Sequence, residues 1–316
     1  MKAMVYHDYG SPEVLKLQEI DKPVITDDDI LVRVFASSVN WIDWHFLTGT
    51  PLLTRFMAGL SKPKNQVLGI DLAGMVDSIG ANVTQFKPGD EVFGLSTHGC
   101  FAEYANINEA NLKMKPAGLN FEEAASVFGA AVTALRALNG IYGILSGQNV
   151  LINGASGGVG SFAVQIAKAF GAEVTGVCST RNLNLVCEIG ADYVVDYTRE
   201  DFTKSGKLYD LIFDAVAKRS FSDCKCALKS QGTYVTTQFS PVLALKGQLK
   251  SMTGSQRMVP LPPKLPNQSD LVFIKELLET GKVIPVIDRN YSLGEVPDAL
   301  RYLADGHARG KVVLTI

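Results

Sequence analysis

VLINGASGGVG, at Val150–Gly160, joins a short apolar run to a glycine-rich turn. The residues that follow, SFAVQIAKAFGA, have the spacing of an amphipathic helix. That spacing predicts one buried stripe, made by Val159, Phe162, Ala163, Ile166, Ala167 and Phe170. A strand, a glycine turn and a helix N-terminus in this order bind anions, because backbone N–H groups and the positive end of the helix dipole face the same point. The pattern is a variant of the dinucleotide-binding fingerprint, with Ala155 at the first glycine position.

The turn itself supplies the predicted contacts to a pyrophosphate, from Ser156, Gly157, Gly158, Val159 and Gly160. Gly157 and Gly158 allow the backbone to approach a phosphate closely, and Gly160 allows the helix to pack tightly on the strand. A plain tight turn is the alternative. We favour dinucleotide binding because the strand and the helix that the motif requires are both present.

The end of the next predicted strand, Ala172–Cys178, selects the dinucleotide. A site that prefers NAD places a carboxylate there to bind the ribose 2′-OH. This chain instead has Ser179, Thr180 and Arg181, and no acid before Glu188. A guanidinium offers charge-assisted bonds to a 2′-phosphate, so the sequence predicts NADPH rather than NADH. The alternative is that Arg181 is a solvated loop residue.

Composition points to a cytoplasmic enzyme of about two domains. The 316 residues are 47% hydrophobic and 20% charged, which is enough to bury a sizeable core. A net charge of −2 gives no basic surface for nucleic acid or an acidic membrane. The first residues have no signal-peptide core, and no apolar run is long enough to span a bilayer. The odd count of five cysteines fits a reducing compartment.

The order of patterns predicts an α/β protein with two parts. The first third is β-rich, with predicted strands at 2–7, 30–38, 69–79 and 91–94, and a helical pattern then covers 122–138. From Val150 onward, strands at 150–153, 173–178, 193–195, 211–215 and 233–237 alternate with helices at 158–170, 181–189 and 220–228. This alternation predicts a doubly wound parallel sheet. The proline-rich stretch 258–267 breaks it, and helices at 269–280 and 295–305 precede a final strand at 311–316.

Taken together, several motifs resemble the medium-chain dehydrogenase/reductase superfamily, in particular its zinc-independent quinone oxidoreductase and enone reductase branch. They are FKPGDEVFG (86–94), FAEY (101–104), AAVTAL (130–135), NGASGGVG (153–160), GADYVVDY (190–197) and the C-terminal HARGKVVLTI. The resemblance covers the whole chain. It implies a GroES-like catalytic domain at 1–120 and 266–316, a Rossmann NADPH-binding domain at 121–265, and an active site in the cleft between them.

Zinc-dependent relatives need a set of cysteine, histidine and acidic ligands that this sequence does not offer. Where the histidine–glutamate pair of those relatives would fall, the chain has Ile70 and Asp71. His98 and Cys100 are two residues apart, and nothing nearby completes the three or four ligands of a zinc ion. The sequence therefore predicts a metal-free enzyme.

A nicotinamide without a metal suits hydride transfer to a conjugated acceptor. A quinone or an α,β-unsaturated carbonyl compound spreads the developing charge onto its own oxygen, so the protein needs only to position the reactants and to donate hydrogen bonds. The predicted substrate is such a small molecule. The rival interpretations are a zinc-dependent alcohol dehydrogenase, which the missing ligands oppose, and a non-catalytic NADPH-binding or redox-sensing protein.

The resemblance also implies roles for individual residues. Asn40 stands at the asparagine position near the nicotinamide, although a helix cap is an equal alternative. His45 stands where relatives carry a tyrosine or lysine and is a candidate proton donor, the alternative being a surface histidine. Thr133 should lie beneath the nicotinamide, Tyr197 beside the 2′-phosphate, and Arg309 near the cofactor. Packing at a strand end is the alternative for Tyr197.

Two further features leave alternatives open. The apolar run within 50–66 is either a lip over the active site or a satellite helix packed on the barrel. Relatives often form homodimers through the edges of their cofactor domains, but prolines 260, 262, 263 and 266 crowd the stretch where that edge strand would lie.

Overall fold

Strands dominate the first third of the chain, and strands and helices alternate after it. The computed structural model describes residues 1–140, 143–262, 264 and 266–316. The strands are β1 Lys2–Val5, β2 Lys16–Glu19, β3 Asp29–Val39, β4 Asp71–Ile79, β5 Glu91–Leu95, β6 Tyr104–Asn108, β7 Leu112–Met114, β8 Asn149–Asn153, β9 Glu173–Cys178, β10 Tyr193–Asp196, β11 Tyr209–Asp214, β12 Leu228–Thr236, β13 Arg257–Pro260, β14 Ile287–Ser292 and β15 Lys311–Thr315. The α-helices are α1 Trp41–Thr48, α2 Leu53–Ala58, α3 Phe121–Ala125, α4 Phe128–Asn139, α5 Gly158–Ala169, α6 Leu183–Glu188, α7 Phe221–Cys224, α8 Pro241–Thr253, α9 Gln268–Glu279 and α10 Val296–Ala304.

The first of two units is a β-rich GroES-like domain built from both ends of the chain. It comprises Met1–Ala130, Leu271–Lys275 and Pro285–Ile316. Its large sheet has the order β14-β15-β3-β4-β5-β7, and β6 also pairs with β3. Alternation along β3 buries Ile30, Val32 and Val34 on one face. Since β15 and β4 flank β3, residues from the two ends of the chain meet at the centre of this sheet.

The second unit is a Rossmann-like domain, formed by Ala131–Asp270 and Glu276–Ile284. Its parallel sheet has the order β10-β9-β8-β11-β12-β13. Numbered within the unit, this is the 3-2-1-4-5-6 order of dinucleotide-binding sheets, in which the order reverses beside the first strand. The glycine turn follows that first strand, β8. The predicted fold class, a doubly wound parallel sheet with a β-rich GroES-like domain, is therefore confirmed.

Helix α5 is buried on more than the predicted single stripe. All residues from Gly160 to Ala167 are buried, including the polar Ser161 and Gln165. The Gln165 amide donates to the carbonyl oxygen of Ile284 at 2.9 Å and accepts from its N–H at 2.8 Å. The backbone at Ile284 thus pairs with a second side of the helix, which the spacing of apolar residues does not reveal.

The predicted helix at 122–138 is wrong in one respect, because it is two helices. Helix α3 ends at Ala125, where the Ser126 hydroxyl donates to the carbonyl oxygen of Glu123. Helix α4 then starts at Phe128, whose ring stacks on Phe93 with the centroids 4.3 Å apart. The stacking of Phe128 on Phe93 anchors the start of the second helix, which periodicity alone cannot show.

The interpretation of 258–267 as a break in the alternation is also wrong in part. Residues Arg257–Pro260 form β13, which pairs in parallel with β12 at the edge of the sheet. An edge strand tolerates Pro260 because one side of its backbone has no strand to bond. Helix α8, which precedes β13, has no counterpart in the predicted elements. Pro263, one of the four prolines, lies outside the described residues.

Candidate cofactor and catalytic sites

The glycine turn has the backbone geometry of an anion site. Gly154 has a φ of +85°, which favours glycine, and a Cβ at Gly160 would overlap the carbonyl oxygen of Gly154. Gly157 is the N-cap of α5, and no side chain of the described residues caps this helix. The first-turn N–H groups of Gly158, Val159 and Gly160 therefore remain available to an anionic ligand. A pyrophosphate fits this donor set.

The ends of β9 and β10 bring the other predicted cofactor residues to the same edge of the sheet. Cys178 and Asp196 are paired at the last register position of the two strands. Ser179 and Arg181 follow β9, and Tyr197 follows β10 with its N–H donating to the carbonyl oxygen of Cys178 at 3.0 Å. The Arg181 side chain is exposed and Tyr197 is 56% exposed. A tyrosine this exposed does not match the packing alternative.

The hydroxyl of Thr180 is hydrogen-bonded to a neighbouring acid, Asp196. Its hydroxyl donates to Asp196 Oδ2 at 2.5 Å, and this bond is the main cause that lowers the pKa of Asp196. The other oxygen of Asp196 accepts from the N–H and the hydroxyl of Thr198, and Arg199 Nε lies 3.4 Å from Oδ2. These contacts engage both oxygens of Asp196 with its own neighbours.

Asn182 joins the glycine turn to the end of β9, and the sequence analysis did not identify it. Its amide nitrogen donates to Ser156 Oγ at 2.9 Å and to Ser179 Oγ at 3.3 Å. Asn182 is 4% exposed, and its Oδ1 has no hydrogen-bond partner. The amide holds two predicted cofactor residues at a fixed separation. Its position directly after the Ser-Thr-Arg run is the one signal in the sequence.

In the GroES-like domain, Asn40 belongs to a buried polar network. Its Nδ2 donates to the carbonyl oxygen of Ser38 at 3.1 Å and to Asp71 Oδ2 at 3.0 Å, and its Oδ1 accepts from Lys311 Nζ at 2.6 Å. Asp71 also accepts from Ser38 Oγ at 2.9 Å and from the N–H of Gly129 at 2.8 Å. The Asn40 side chain therefore belongs to this network, and Asn40 is also the N-cap residue of α1.

Asp43 secures the start of α1 through its two oxygens. Oδ2 accepts from the N–H of Asn40 at 2.7 Å, and Oδ1 accepts from the N–H of Gly69 at 3.1 Å. Complete burial, reinforced by the charge of Asp71, raises the pKa of Asp43 to about 7 although both N–H bonds act to lower it. Asp43 is therefore a structural acid.

His45 is half-buried on α1 and is oriented by one backbone contact. Its Nδ1 lies 2.7 Å from the carbonyl oxygen of Thr50. A carbonyl only accepts, so Nδ1 carries the proton of the neutral ring and Nε2 is then an acceptor. His45 can donate through Nε2 only as the imidazolium.

Thr133 and Arg309 are the remaining predicted cofactor residues, and they belong to different units of the chain. Thr133 is half-buried on α4. Arg309 is exposed just before β15, and its backbone N–H donates to Asp288 at 2.8 Å. The apolar side chains of the 50–66 segment are not packed on the barrel, since Leu52, Leu53, Phe56, Met57 and Leu60 are 40–68% exposed.

Comparison with known proteins identifies the family. Residues 26–117 match the model of the alcohol dehydrogenase GroES-like domain, and residues 189–314 match that of the zinc-binding dehydrogenase family. The chain is 35% identical to a 2-methylene-furan-3-one reductase of Solanum lycopersicum, over 99% of this chain and 79% of the relative. It is also 35% identical to a chloroplastic NADPH-dependent alkenal/one oxidoreductase of Arabidopsis thaliana, with the same two coverages. The solved quinone oxidoreductase of Coxiella burnetii matches 100% of this chain and 99% of its own, with a TM-score of 0.89 and 30% identity.

The chain belongs to the medium-chain dehydrogenase/reductase superfamily. The three similar proteins named above are an enone reductase, an alkenal/one oxidoreductase and a quinone oxidoreductase, and this member of the superfamily is an oxidoreductase.

Two observations on the structure of this oxidoreductase concern the predictions about a metal ion and a membrane. Among the described residues, no three His, Cys, Asp or Glu side chains are grouped so that they could hold a metal ion. No helix in the described part of the oxidoreductase is long and apolar enough to cross a bilayer. Since one similar protein is chloroplastic, the cytoplasmic location stays a prediction.

Proposed function

We propose that the protein is an NADPH-dependent, metal-free oxidoreductase that transfers a hydride to quinones or α,β-unsaturated carbonyl compounds. One observation carries the cofactor proposal. The N-terminus of α5 has no side-chain cap and lies at the same edge of the sheet as Ser179 and Arg181, while both oxygens of Asp196 already accept hydrogen bonds from its own neighbours. The names of the similar reductases support the substrate class.

Each predicted cofactor residue has a distinct task in this proposal. The turn from Ser156 to Gly160 binds the pyrophosphate through backbone N–H groups. Arg181, Ser179 and Tyr197 bind the 2′-phosphate. Thr180 is reassigned to a structural role, because a hydroxyl that donates to Asp196 cannot also donate to a phosphate.

Asn40 contacts the nicotinamide end as a hydrogen-bond acceptor in this proposal. Both of its amide hydrogens are used by Ser38 and Asp71, so it has none to give to a substrate oxygen. Its carbonyl oxygen accepts from Lys311, and an amide oxygen has a second lone pair that can accept from the cofactor. The carboxamide N–H of a nicotinamide is a donor of the required kind. Thr133 and Arg309 complete the predicted cofactor contacts.

The substrate follows from the few donors that the chain provides. Bound NADPH supplies the hydride. An enone or a quinone delocalises the developing charge onto its own oxygen and therefore needs little help from acid–base groups. The α-proton of a reduced enone comes from water, either directly or through His45 in its imidazolium form. The exposed apolar side chains of α2 and its flanks receive an apolar part of the substrate.

The test follows NADPH absorbance with a quinone, an enone and a saturated ketone of matched size. We expect turnover with the first two acceptors and none with the third. Deuteride from labelled NADPH should appear on the β-carbon of the reduced enone, as read by NMR. Label on the carbonyl carbon, together with one zinc per chain by elemental analysis, would support the alcohol dehydrogenase instead. Tight NADPH binding without any turnover would support the non-catalytic protein.

Oligomeric state and location belong to the same proposal. We expect a cytoplasmic enzyme with no nucleic-acid or membrane partner, and a homodimer is the assembly to be tested by light scattering.

A further inference from the structure

A buried lysine and a buried aspartate meet at the centre of the GroES-like sheet. Lys311 is 3% exposed and Asp71 is 1% exposed, with Nζ and Oδ2 separated by 3.4 Å. The register explains the meeting, since Val312 pairs with Val39 and Ser38 pairs with Asp71 across three adjacent strands. Burial lowers the pKa of Lys311, and the charge of Asp71 opposes this.

Stability does not explain such a pair. Removing two charges from water is costly, and apolar replacements of a buried pair are often neutral or stabilising. The pair instead fixes the direction of the hydrogen bonds around the Asn40 side chain. Lys311 has only donors and Asp71 has only acceptors, and both bind the Asn40 amide.

The two charges permit only one orientation of the Asn40 side-chain amide. With its oxygen toward Lys311 Nζ and its nitrogen toward Asp71 Oδ2, every contact joins a donor to an acceptor. After a flip, an N–H would face the ammonium and the oxygen would face the carboxylate and the carbonyl oxygen of Ser38. Three favourable contacts would become three repulsive ones.

We propose that Lys311 and Asp71 are positioning residues that fix Asn40 with its oxygen as the acceptor for the cofactor carboxamide. The inference rests on the proposed function, because it takes Asn40 as a nicotinamide contact. Asp71 has a second task, since it also accepts the N–H of Gly129 at the start of α4.

A double-mutant cycle tests whether Lys311 acts through Asn40. Lys311→Met and Asn40→Ala are made singly and together, and NADPH affinity and kcat are measured for each protein. Loss of one directed hydrogen bond should weaken NADPH binding roughly tenfold in either single variant. The double variant should then be no weaker than the worse single variant. Multiplied effects would overturn the proposal, because they would mean that Lys311 acts independently of Asn40.

Lys115 offers a matched control for the loss of a buried lysine. Its side chain is 5% exposed, it pairs with Glu91 at 3.1 Å in the same domain, and it makes no contact with Asn40. Lys115→Met should lower the midpoint of thermal unfolding and leave kcat and NADPH affinity unchanged. A similar loss of NADPH affinity in Lys115→Met and Lys311→Met would show a general structural effect and refute a positioning role.

A cofactor analogue provides a readout that does not depend on the folding of Lys311→Met. In the 3-acetylpyridine analogue of NADPH, a methyl group replaces the carboxamide nitrogen and no N–H remains. The native protein should prefer NADPH to this analogue, Lys311→Arg should keep that preference, and Asn40→Ala should abolish it. Retention of the full preference by Asn40→Ala would overturn the proposal. If the native protein reduces enones but fails this test, only the positioning role is wrong; if it does not bind NADPH at all, the proposed function is wrong.

Discussion

Arg181 offers the sharpest test of cofactor choice, because a single side chain is expected to distinguish two ligands that differ by one phosphate. Arg181→Ala should weaken the binding of NADPH and leave that of NADH nearly unchanged. The reason is that a guanidinium forms charge-assisted bonds with a 2′-phosphate and has no comparable partner in a ribose hydroxyl.

The expected size of the effect follows from the exposure of the site. Hydrogen bonds to charged groups contribute about 1.5–3 kcal/mol. Arg181 is exposed, so solvent and salt screen its charge and place the effect near the low end, about tenfold in affinity. The preference for NADPH should also shrink as ionic strength rises and as pH falls below about 6, where a phosphate monoester takes up its second proton.

Arg199 is the matched control for this change of charge. It lies close by on the loop after β10, its side chain is 74% exposed, and it pairs with Asp196. Arg199→Ala should change the ratio of NADPH to NADH affinity by no more than about twofold, since exposed pairs contribute little. Fluorescence titration of both variants with both cofactors measures the ratio. Equal effects of the two substitutions would refute a specific contact, and equal affinities of the native protein for the two cofactors would remove the basis of the prediction.

Three further outcomes are expected. Gly160→Ala should lower the free energy of unfolding by about 1–3 kcal/mol, because its Cβ would overlap the Gly154 carbonyl oxygen, whereas Gly118→Ala, which has open space, should change it little in urea titrations. As pH rises from 5 to 7, the native protein should lose stability relative to Asp43→Asn, by on the order of 1 kcal/mol per unit. The folded state keeps a proton on Asp43 up to about pH 7 that the unfolded chain releases near pH 4, and parallel curves for the two proteins would contradict this assignment. His45→Gln should lower kcat for an enone by no more than about 10²-fold, and a larger loss would show that water cannot replace His45.

The Rossmann-like sheet could be predicted from the sequence because its information is local. Each strand is a short apolar run and each crossover is a helix with its own periodicity. The elements that were missed or misjudged depend on distant contacts. Phe128 begins a second helix where its ring stacks on Phe93, and β13 forms because β12 offers a free edge despite the nearby prolines.

The residues of the candidate site also fall into those that local sequence predicts and those that depend on distant contacts. The glycine turn and the Ser-Thr-Arg run are contiguous motifs, and the residues around them could be identified directly. Lys311 and Asp71 are 240 positions apart, and only the register of three strands places them on either side of Asn40. The structural role that we propose for Thr180 could not be predicted for a related reason, because the acid that accepts from its hydroxyl comes from the next strand of the sheet.

The saturation of polar groups limits the chemistry that these residues can perform. The Asn40 amide has no hydrogen left to donate, and Asp43 receives two backbone N–H groups. Asp71 is occupied by donors from Ser38, Asn40 and Gly129. An alcohol must lose a proton as its hydride leaves, and none of these groups is placed to take it. A conjugated acceptor makes no such demand at the carbon that receives the hydride, because its own π-system carries the charge to oxygen. In the proposed function, the hydrogen bonds of Asn40, Asp43 and Asp71 therefore keep these three side chains out of proton transfer and leave His45 and water as the proton carriers.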